Sequence, residues 1–156
     1  IEHHAVLHTI EELANANKVQ MHLLEPLSNG HIDLSQLESL LKSNSDVLVS
    51  LMHGNNEVGN LLDIELVSKL CRQYNALFHC DTVQTMSHYP FDFQKIDLDF
   101  AVGAAHKFNG PKGVGFLYYN KRNRVKPLIT GGSQERELRA GTENVYGIVL
   151  LIINGS

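Results

Sequence analysis

Short apolar strands alternate with amphipathic helices through the first half of the chain, and this alternation strongly limits the possible folds. Apolar runs at 18–24, 47–52 and 76–80 predict strands. The helices between them place apolar residues on one face, at Leu34, Leu37 and Leu41 in the first and at Val67, Leu70 and Cys71 in the second. Asp33 and Asp63 stand just before these helices and are predicted to be their N-caps. Because consecutive parallel strands are joined by right-handed crossovers, the pattern predicts an α/β fold: a mostly parallel sheet with helices on both faces.

A run of small apolar residues at 100–105 predicts a further buried strand, which ends at His106 and Lys107 before a Gly-Pro turn. We expect a lysine at this position to be partly desolvated, which lowers the pKa of an amine toward the range where it attacks carbonyl groups. The alternative is that Lys107 extends into water and only caps a turn. Residues 114–119 predict a strand antiparallel to the lysine strand, because the connection is too short for a crossover.

Polar side chains follow three of the predicted strands. Asn56 comes after the strand at 47–52, Asp81 and Gln84 come after the strand at 76–80, and the third strand ends at Lys107. Ligands bind outside the carboxyl ends of parallel strands. A lysine amine, a buried aspartate and nearby amide donors form the set used by enzymes that contain pyridoxal phosphate. From spacing alone, Asp81 could instead cap the segment that follows it.

Composition excludes several classes of function. A chain of 156 residues with formal net charge −4 forms one domain and is poorly suited to binding nucleic acid. No apolar stretch is long enough to span a membrane. The cysteines, Cys71 and Cys80, lie in a predicted helix and strand without CxxC spacing, which is typical of a reducing compartment such as the cytoplasm. Residues 131–144 are glycine-rich and charged, and predict a long functional loop.

Several segments of the chain together resemble one family, the cysteine desulfurases. These are pyridoxal-phosphate enzymes of the class V aminotransferase group, with fold type I. The matching segments follow the family's order along essentially the whole chain: 1–6 (IEHHAV), 52–59 (MHGNNEVG), 78–84 (FHCDTVQ), 105–113 (AHKFNGPKG) and 131–144 (GGSQERELRAGTEN). The resemblance implies that residues 1–156 are a central fragment of the large cofactor-binding domain, with no second domain.

The resemblance also implies catalytic roles for two residues. Lys107 would form a Schiff base with the aldehyde of the cofactor, and His3 would stack on the cofactor ring and take part in proton transfer. Asp81 would pair with the pyridine nitrogen, which keeps that nitrogen protonated so that the ring can accept electrons.

Four further residues would hold the cofactor, if the resemblance applies position by position. Asn56 and Gln84 would hydrogen-bond the phenolic oxygen and its neighbourhood, and His106 would contact the phosphate. Thr142 resembles the residue that reaches the phosphate from the other subunit of the homodimer.

The implied reaction moves sulfur from L-cysteine to a cysteine of the enzyme, which leaves alanine and an enzyme persulfide. The sulfur would then pass to an acceptor or scaffold protein for iron–sulfur cluster or thio-cofactor assembly. The phosphate loop, the persulfide cysteine and the arginine for the substrate carboxylate all lie outside this segment in the family, and Cys71 and Cys80 do not match the sulfur-accepting cysteine. We therefore expect this chain alone to be a poor catalyst.

One matching position departs from the family pattern. Ala104 stands where the family usually carries a serine whose hydroxyl bonds the phosphate. Loss of a hydrogen bond to a charged group costs about 1.5–3 kcal/mol, or roughly tenfold to a hundredfold in affinity.

Three alternatives remain open from the sequence. A metal site could use histidines and an acid, because His3, His4 and His8 include a pair spaced i, i+4 and the predicted sheet places His53, His79 and Glu57 on the same rim. Another class V enzyme, such as a selenocysteine lyase or an aminotransferase, would share Lys107 and Asp81. The chain could also be a catalytically inactive piece that associates with itself through exposed sheet edges and apolar patches.

Overall fold

The computed structural model describes residues 2–155. The helices are α1 (His4–Asn15), α2 (Leu34–Ser43), α3 (Ile64–Gln73) and α4 (Val145–Asn154). The strands are β1 (Leu48–Met52), β2 (Leu77–Asp81), β3 (Phe100–Ala104) and β4 (Gly115–Tyr119). Short 3-10 turns occupy Ala105–Lys107 and Gln134–Glu137. Within residues 2–155, no helix combines the length and apolar character needed to cross a membrane.

The strands form one sheet in the order β1-β2-β3-β4. β1, β2 and β3 are parallel to one another, and β4 is antiparallel to β3. The register pairs Met52 with Asp81 and Asp81 with Val102, so the carboxyl ends of the parallel strands lie at one rim. The predicted α/β fold and the predicted antiparallel strand after the lysine are both confirmed.

One face of the sheet forms the core against α2 and α3. Every second residue of β1, β2 and β3 is buried there, and the helices contribute a matching apolar stripe. The core residues include Val49, Leu51, Phe78, Cys80 and Ala101 from the strands and Leu37, Leu41, Ile64, Val67 and Cys71 from the helices. Cys80 is therefore a packing residue, and burial raises the pKa of its thiol well above the usual value. Burial also raises the pKa of Cys71 to about 12.

The caps of α2 and α3 follow the sequence prediction. The carboxylate of Asp33 accepts hydrogen bonds from the backbone N–H groups of Ser35 and Gln36, and Asp63 accepts one from Leu66. Each cap satisfies backbone donors that have no partner within the first turn of a helix.

The strand predicted at 18–24 is wrong. These residues are extended coil, and the nearest bridge in the described chain joins Pro26 to Ile32. Val19 is 45% exposed and Leu23 is 57% exposed, so the face that they would share in a strand is not buried. A strand forms only where a neighbouring backbone pairs with it, and no strand among residues 2–155 pairs with this segment.

A buried carboxylate organises the opposite rim of the sheet. The Asp99 side chain is fully buried and accepts hydrogen bonds from the backbone N–H of Phe78, from Asn123 and from the guanidinium groups of Arg72 and Arg122. Asp97 also binds both guanidinium groups. The cluster joins α3, the amino ends of β2 and β3, and the loop after β4, so it is a structural element of the rim away from the predicted site.

Candidate functional site

The residues predicted at the ends of the parallel strands do lie at one rim of the sheet. Asp81 is the last residue of β2, and Gln84 lies three positions beyond it. Asn56 lies in the loop that follows β1, and His106 and Lys107 lie in the turn that follows β3. Because β2 lies between β1 and β3, Asp81 stands at the middle of this rim.

Asp81 is buried, with 5% of the residue exposed. Its Oδ1 accepts a hydrogen bond of 2.9 Å from the backbone N–H of Val83, and its backbone carbonyl accepts one of 2.9 Å from His53. No hydrogen bond from residues 2–155 reaches its Oδ2. The carboxylate therefore caps the following turn, as the sequence alternative suggested, and keeps one oxygen available for a ligand.

Lys107 lies at the end of a tight turn. The backbone N–H of Ala105 donates to Val114, and the N–H groups of Phe108 and Gly110 both donate to the Ala105 carbonyl. A Cβ atom at Gly110 would lie 2.8 Å from the Ala105 Cβ and 2.9 Å from its carbonyl oxygen, so the turn requires glycine there.

The expectation that Lys107 is partly desolvated is wrong for the described chain, because its side chain is exposed, as is that of His106. The turn carries both residues beyond the edge of the sheet, and the residues that surround it leave the side chains open to solvent.

Asn56 and Gln84 line the same cavity, which has a volume of about 200 Å³. It separates the loop after β1 from the segment after β2, and Tyr89 forms part of its wall. The His53 Nδ1 atom lies 2.8 Å from the Thr85 Oγ1 atom and so joins these two segments. Burial lowers the pKa of His53, whose ring also packs edge-on against Phe91.

His3 and Thr142 belong to segments other than the three strand ends, and the residue before His3, Glu2, bonds the end of β1. His3 is the N-cap of α1, where its Nδ1 accepts a hydrogen bond of 3.1 Å from the backbone N–H of Ala5, and its side chain is exposed. Thr142 is exposed in the segment before α4. No described contact joins Thr142 to the rim, so its predicted role across a subunit interface stays a prediction.

Two polar links beside Asp81 were not predicted from the sequence. The carboxylate Oε1 of Glu2 accepts a hydrogen bond from the backbone N–H of Met52, while its Oε2 is buried without a hydrogen-bond partner among residues 2–155. Burial raises the pKa of Glu2, the bond from Met52 opposes this, and the charge of Asp81 raises it further. On the same strands, Ser50 Oγ lies 2.8 Å from His79 Nδ1, and burial lowers the pKa of His79.

The histidines considered for a metal site are dispersed. His4 and His8 stack with ring centroids 4.8 Å apart on α1. Within the described range, 2–155, no group of three or more His, Cys, Asp or Glu side chains is arranged to hold a metal ion.

Comparison with known proteins relates this arrangement to a family. The model of the Aminotransferase class-V family matches residues 1–153. The putative cysteine desulfurase IscS 1 of Bacillus subtilis is 44% identical over 149 residues, which cover 96% of this chain and 39% of that protein. The cysteine desulfurase IscS of Dictyoglomus turgidum is 43% identical over 152 residues.

Solved structures give the same result. A NifS-like protein superposes with a TM-score of 0.92 at 42% identity, covering 99% of this chain and 42% of that one. SspA in complex with cysteine superposes with a TM-score of 0.90 at 34% identity, covering 44% of its chain. The chain thus spans about two fifths of the proteins that it matches.

Proposed function

The chain belongs to the class-V aminotransferase family, and from this premise we propose that it is the central part of the cofactor-binding domain of a cysteine desulfurase. One observation carries the proposal: a buried aspartate with a free carboxylate oxygen ends the strand next to the one that leads into Lys107. The names of the most similar relatives support sulfur transfer from L-cysteine in particular, and one similar structure contains cysteine.

The donor set of the rim fits pyridoxal phosphate. The buried carboxylate of Asp81 has one oxygen without a hydrogen bond, and this oxygen can pair with a protonated ring nitrogen. The attraction between the two opposite charges then offsets the cost of removing both groups from water. Lys107, in the turn after the strand next to Asp81, supplies the amine to which the aldehyde would attach. When bound, this cofactor supplies an electron sink for the substrate amino acid.

Each predicted residue then has a defined task in the proposal. Lys107 would carry the cofactor, and Asp81 would hold its ring nitrogen in the protonated form. Asn56 and Gln84, which line one cavity, would donate their amide N–H groups to the phenolic oxygen.

Two histidines and a threonine complete the proposed site. His3 would stack on the ring and move a proton, and its Nδ1 already accepts the Ala5 N–H, which leaves Nε2 for that task. His106 would bind the phosphate, together with Thr142 from a second subunit.

We further propose a homodimer that passes sulfur to an acceptor or iron–sulfur scaffold protein in the cytoplasm. Apolar side chains of α4 support a second chain or segment at that helix, since Tyr146 is 87% exposed and Ile152 is 62% exposed. Cys71 and Cys80 are free and buried thiols, which suits a reducing compartment.

The proposed activity is tested by product analysis. A protein that contains this segment together with the persulfide cysteine, supplied with pyridoxal phosphate, L-cysteine and a thiol reductant, is expected to release alanine and sulfide in equal amounts, whereas its Lys107→Ala variant releases neither. Release of alanine only when L-selenocysteine replaces L-cysteine would identify a selenocysteine lyase. Amino transfer to a 2-oxo acid without sulfide would identify an aminotransferase, and either result would contradict the proposal.

Replacing Ala104 by serine is expected to tighten binding of pyridoxal phosphate by about tenfold to a hundredfold. Ala104 is the last residue of β3 and precedes the turn that carries Lys107, and no side-chain hydrogen bond caps that turn. A serine hydroxyl there would donate to the phosphate. Titration followed by cofactor absorbance measures the change, and Ala104→Cys, which has similar size and a weak donor, is expected to behave like the unchanged chain.

A further inference from the structure

One side chain joins the start of α1 to the rim of the sheet. The backbone N–H of Met52 donates to the Glu2 carboxylate across a separation of 50 residues. Met52 is the last residue of β1, and it pairs directly with Asp81 in β2. The link therefore lies beside the carboxylate that the proposed function assigns to the cofactor ring.

The second oxygen of Glu2 makes this link unusual. Glu2 Oε2 is buried without a hydrogen bond of normal geometry, the single such side-chain atom in the part of the chain that the structure describes, and burial raises the pKa of the group although the bond from Met52 and the nearby Ser50 side chain oppose this. A buried polar atom without a partner costs stability, because it loses its bonds to water and gains none. An amide in place of the carboxylate would make the same bond to Met52 without a buried charge. The feature of Glu2 that attaches the start of α1 to the sheet is therefore the oxygen that accepts from Met52, and not the charge.

The residue that Glu2 holds is the next one along the chain. His3 is the N-cap of α1, and the His3 carbonyl accepts hydrogen bonds from Val6 and Leu7. Its ring is fixed to the same turn by the bond from the Ala5 N–H. The position of the ring relative to the rim is consequently set by whatever attaches this turn to the sheet.

We propose that Glu2 is a positioning residue that holds His3 over the rim formed by Met52 and Asp81, through the hydrogen bond from the Met52 N–H. This inference rests on the proposed function of His3. If Glu2 only stabilised the fold, its substitution would weaken cofactor binding equally with and without the His3 ring. If Glu2 positions His3, the substitution weakens binding only when that ring is present.

Two substitutions separate the positioning role from simple packing. Glu2→Gln keeps an oxygen that accepts from Met52, and Glu2→Leu removes the acceptor at similar volume. We expect Glu2→Leu to accelerate hydrogen exchange of the Met52 amide at least about tenfold, to move the His3 ring resonances in the absence of cofactor, and to weaken binding of pyridoxal phosphate about tenfold. Glu2→Gln restores all three values. Glu12→Leu, at an exposed position of α1, is the matched control.

Combination with His3→Ala gives the decisive comparison. If Glu2 acts through His3, the double variant Glu2→Leu/His3→Ala binds the cofactor no more weakly than His3→Ala alone. Additive losses would overturn the proposal, and so would unchanged Met52 exchange and His3 resonances in Glu2→Leu. If Glu2→Leu proves unfolded by circular dichroism, Glu2→Ser, which is too short to reach Met52, replaces it in the same comparison.

Failure of the proposed function can be distinguished from failure of the positioning role of Glu2. If the unchanged chain does not bind the cofactor at Lys107, the exchange and resonance measurements still decide whether Glu2 positions His3, because neither needs cofactor.

Discussion

The Asp81→Asn variant is expected to bind pyridoxal phosphate about tenfold to a hundredfold more weakly than the unchanged chain. Asp81 is buried at the middle of the rim, with Oδ2 free of hydrogen bonds from the described residues. Asparagine keeps the bond from Val83 to Oδ1, so the backbone turn survives. It has no negative charge, however, and cannot hold a ring nitrogen in the protonated form. Absorbance titration with the cofactor measures the loss.

Asp46→Asn is the matched control for this substitution, because it removes one carboxylate at an exposed position away from the rim. It is expected to leave the affinity unchanged. Equal affinities of Asp81→Asn and the unchanged chain would show that Asp81 serves only as the cap of its turn, which was the alternative left open by the sequence.

The second large effect concerns stability. Asp99→Ala is expected to lower the free energy of unfolding by about 3 kcal/mol, since it leaves the buried N–H of Phe78 without an acceptor and removes the buried one of the two carboxylates that Arg72 and Arg122 share. Urea unfolding followed by circular dichroism measures the change. Asp92→Asn, which removes an exposed carboxylate paired with Lys95, is expected to have little effect.

The same substitution has a defined pH dependence. Burial would raise the pKa of Asp99, but hydrogen bonds from Asn123, the Phe78 N–H and Arg122 outweigh it, so the pKa is lower in the folded chain than the usual 3.8. The ionised group therefore stabilises the fold at pH values above 3.8, and this contribution is lost as the pH falls through the folded pKa. The difference between Asp99→Ala and the unchanged chain should be largest near neutral pH and should shrink in acid. A deficit that grows on acidification would contradict the assignment.

The parts of the fold that depend on local signals were predictable. Asp33 and Asp63 cap helices at the predicted places, because a capping side chain bonds to backbone groups only two or three residues away. The strand before Lys107 and its antiparallel neighbour followed from a short turn between apolar runs. The run at 18–24 has the composition of a strand, yet it is coil, because a strand also needs a partner that its own sequence does not specify.

The part of the site that was predictable is the part formed by residues at the carboxyl ends of the parallel strands. Parallel strands bring Asn56, Asp81 and Lys107 to one rim whatever their distance along the chain. The link from Glu2 to Met52 spans 50 residues, and the cluster around Asp99 depends on Arg122 from beyond β4. No periodicity or spacing marks such contacts, since they arise only when the completed sheet brings distant segments together.

Whether this segment holds the cofactor site is decided by the location of a trapped cofactor. The purified chain is mixed with pyridoxal phosphate, reduced with borohydride, digested and analysed by peptide mass spectrometry. One dominant adduct on Lys107 is expected, together with a visible absorbance that disappears on reduction. Adducts spread over exposed lysines such as Lys95 and Lys42, or no adduct, would contradict the claim that this segment holds the cofactor site.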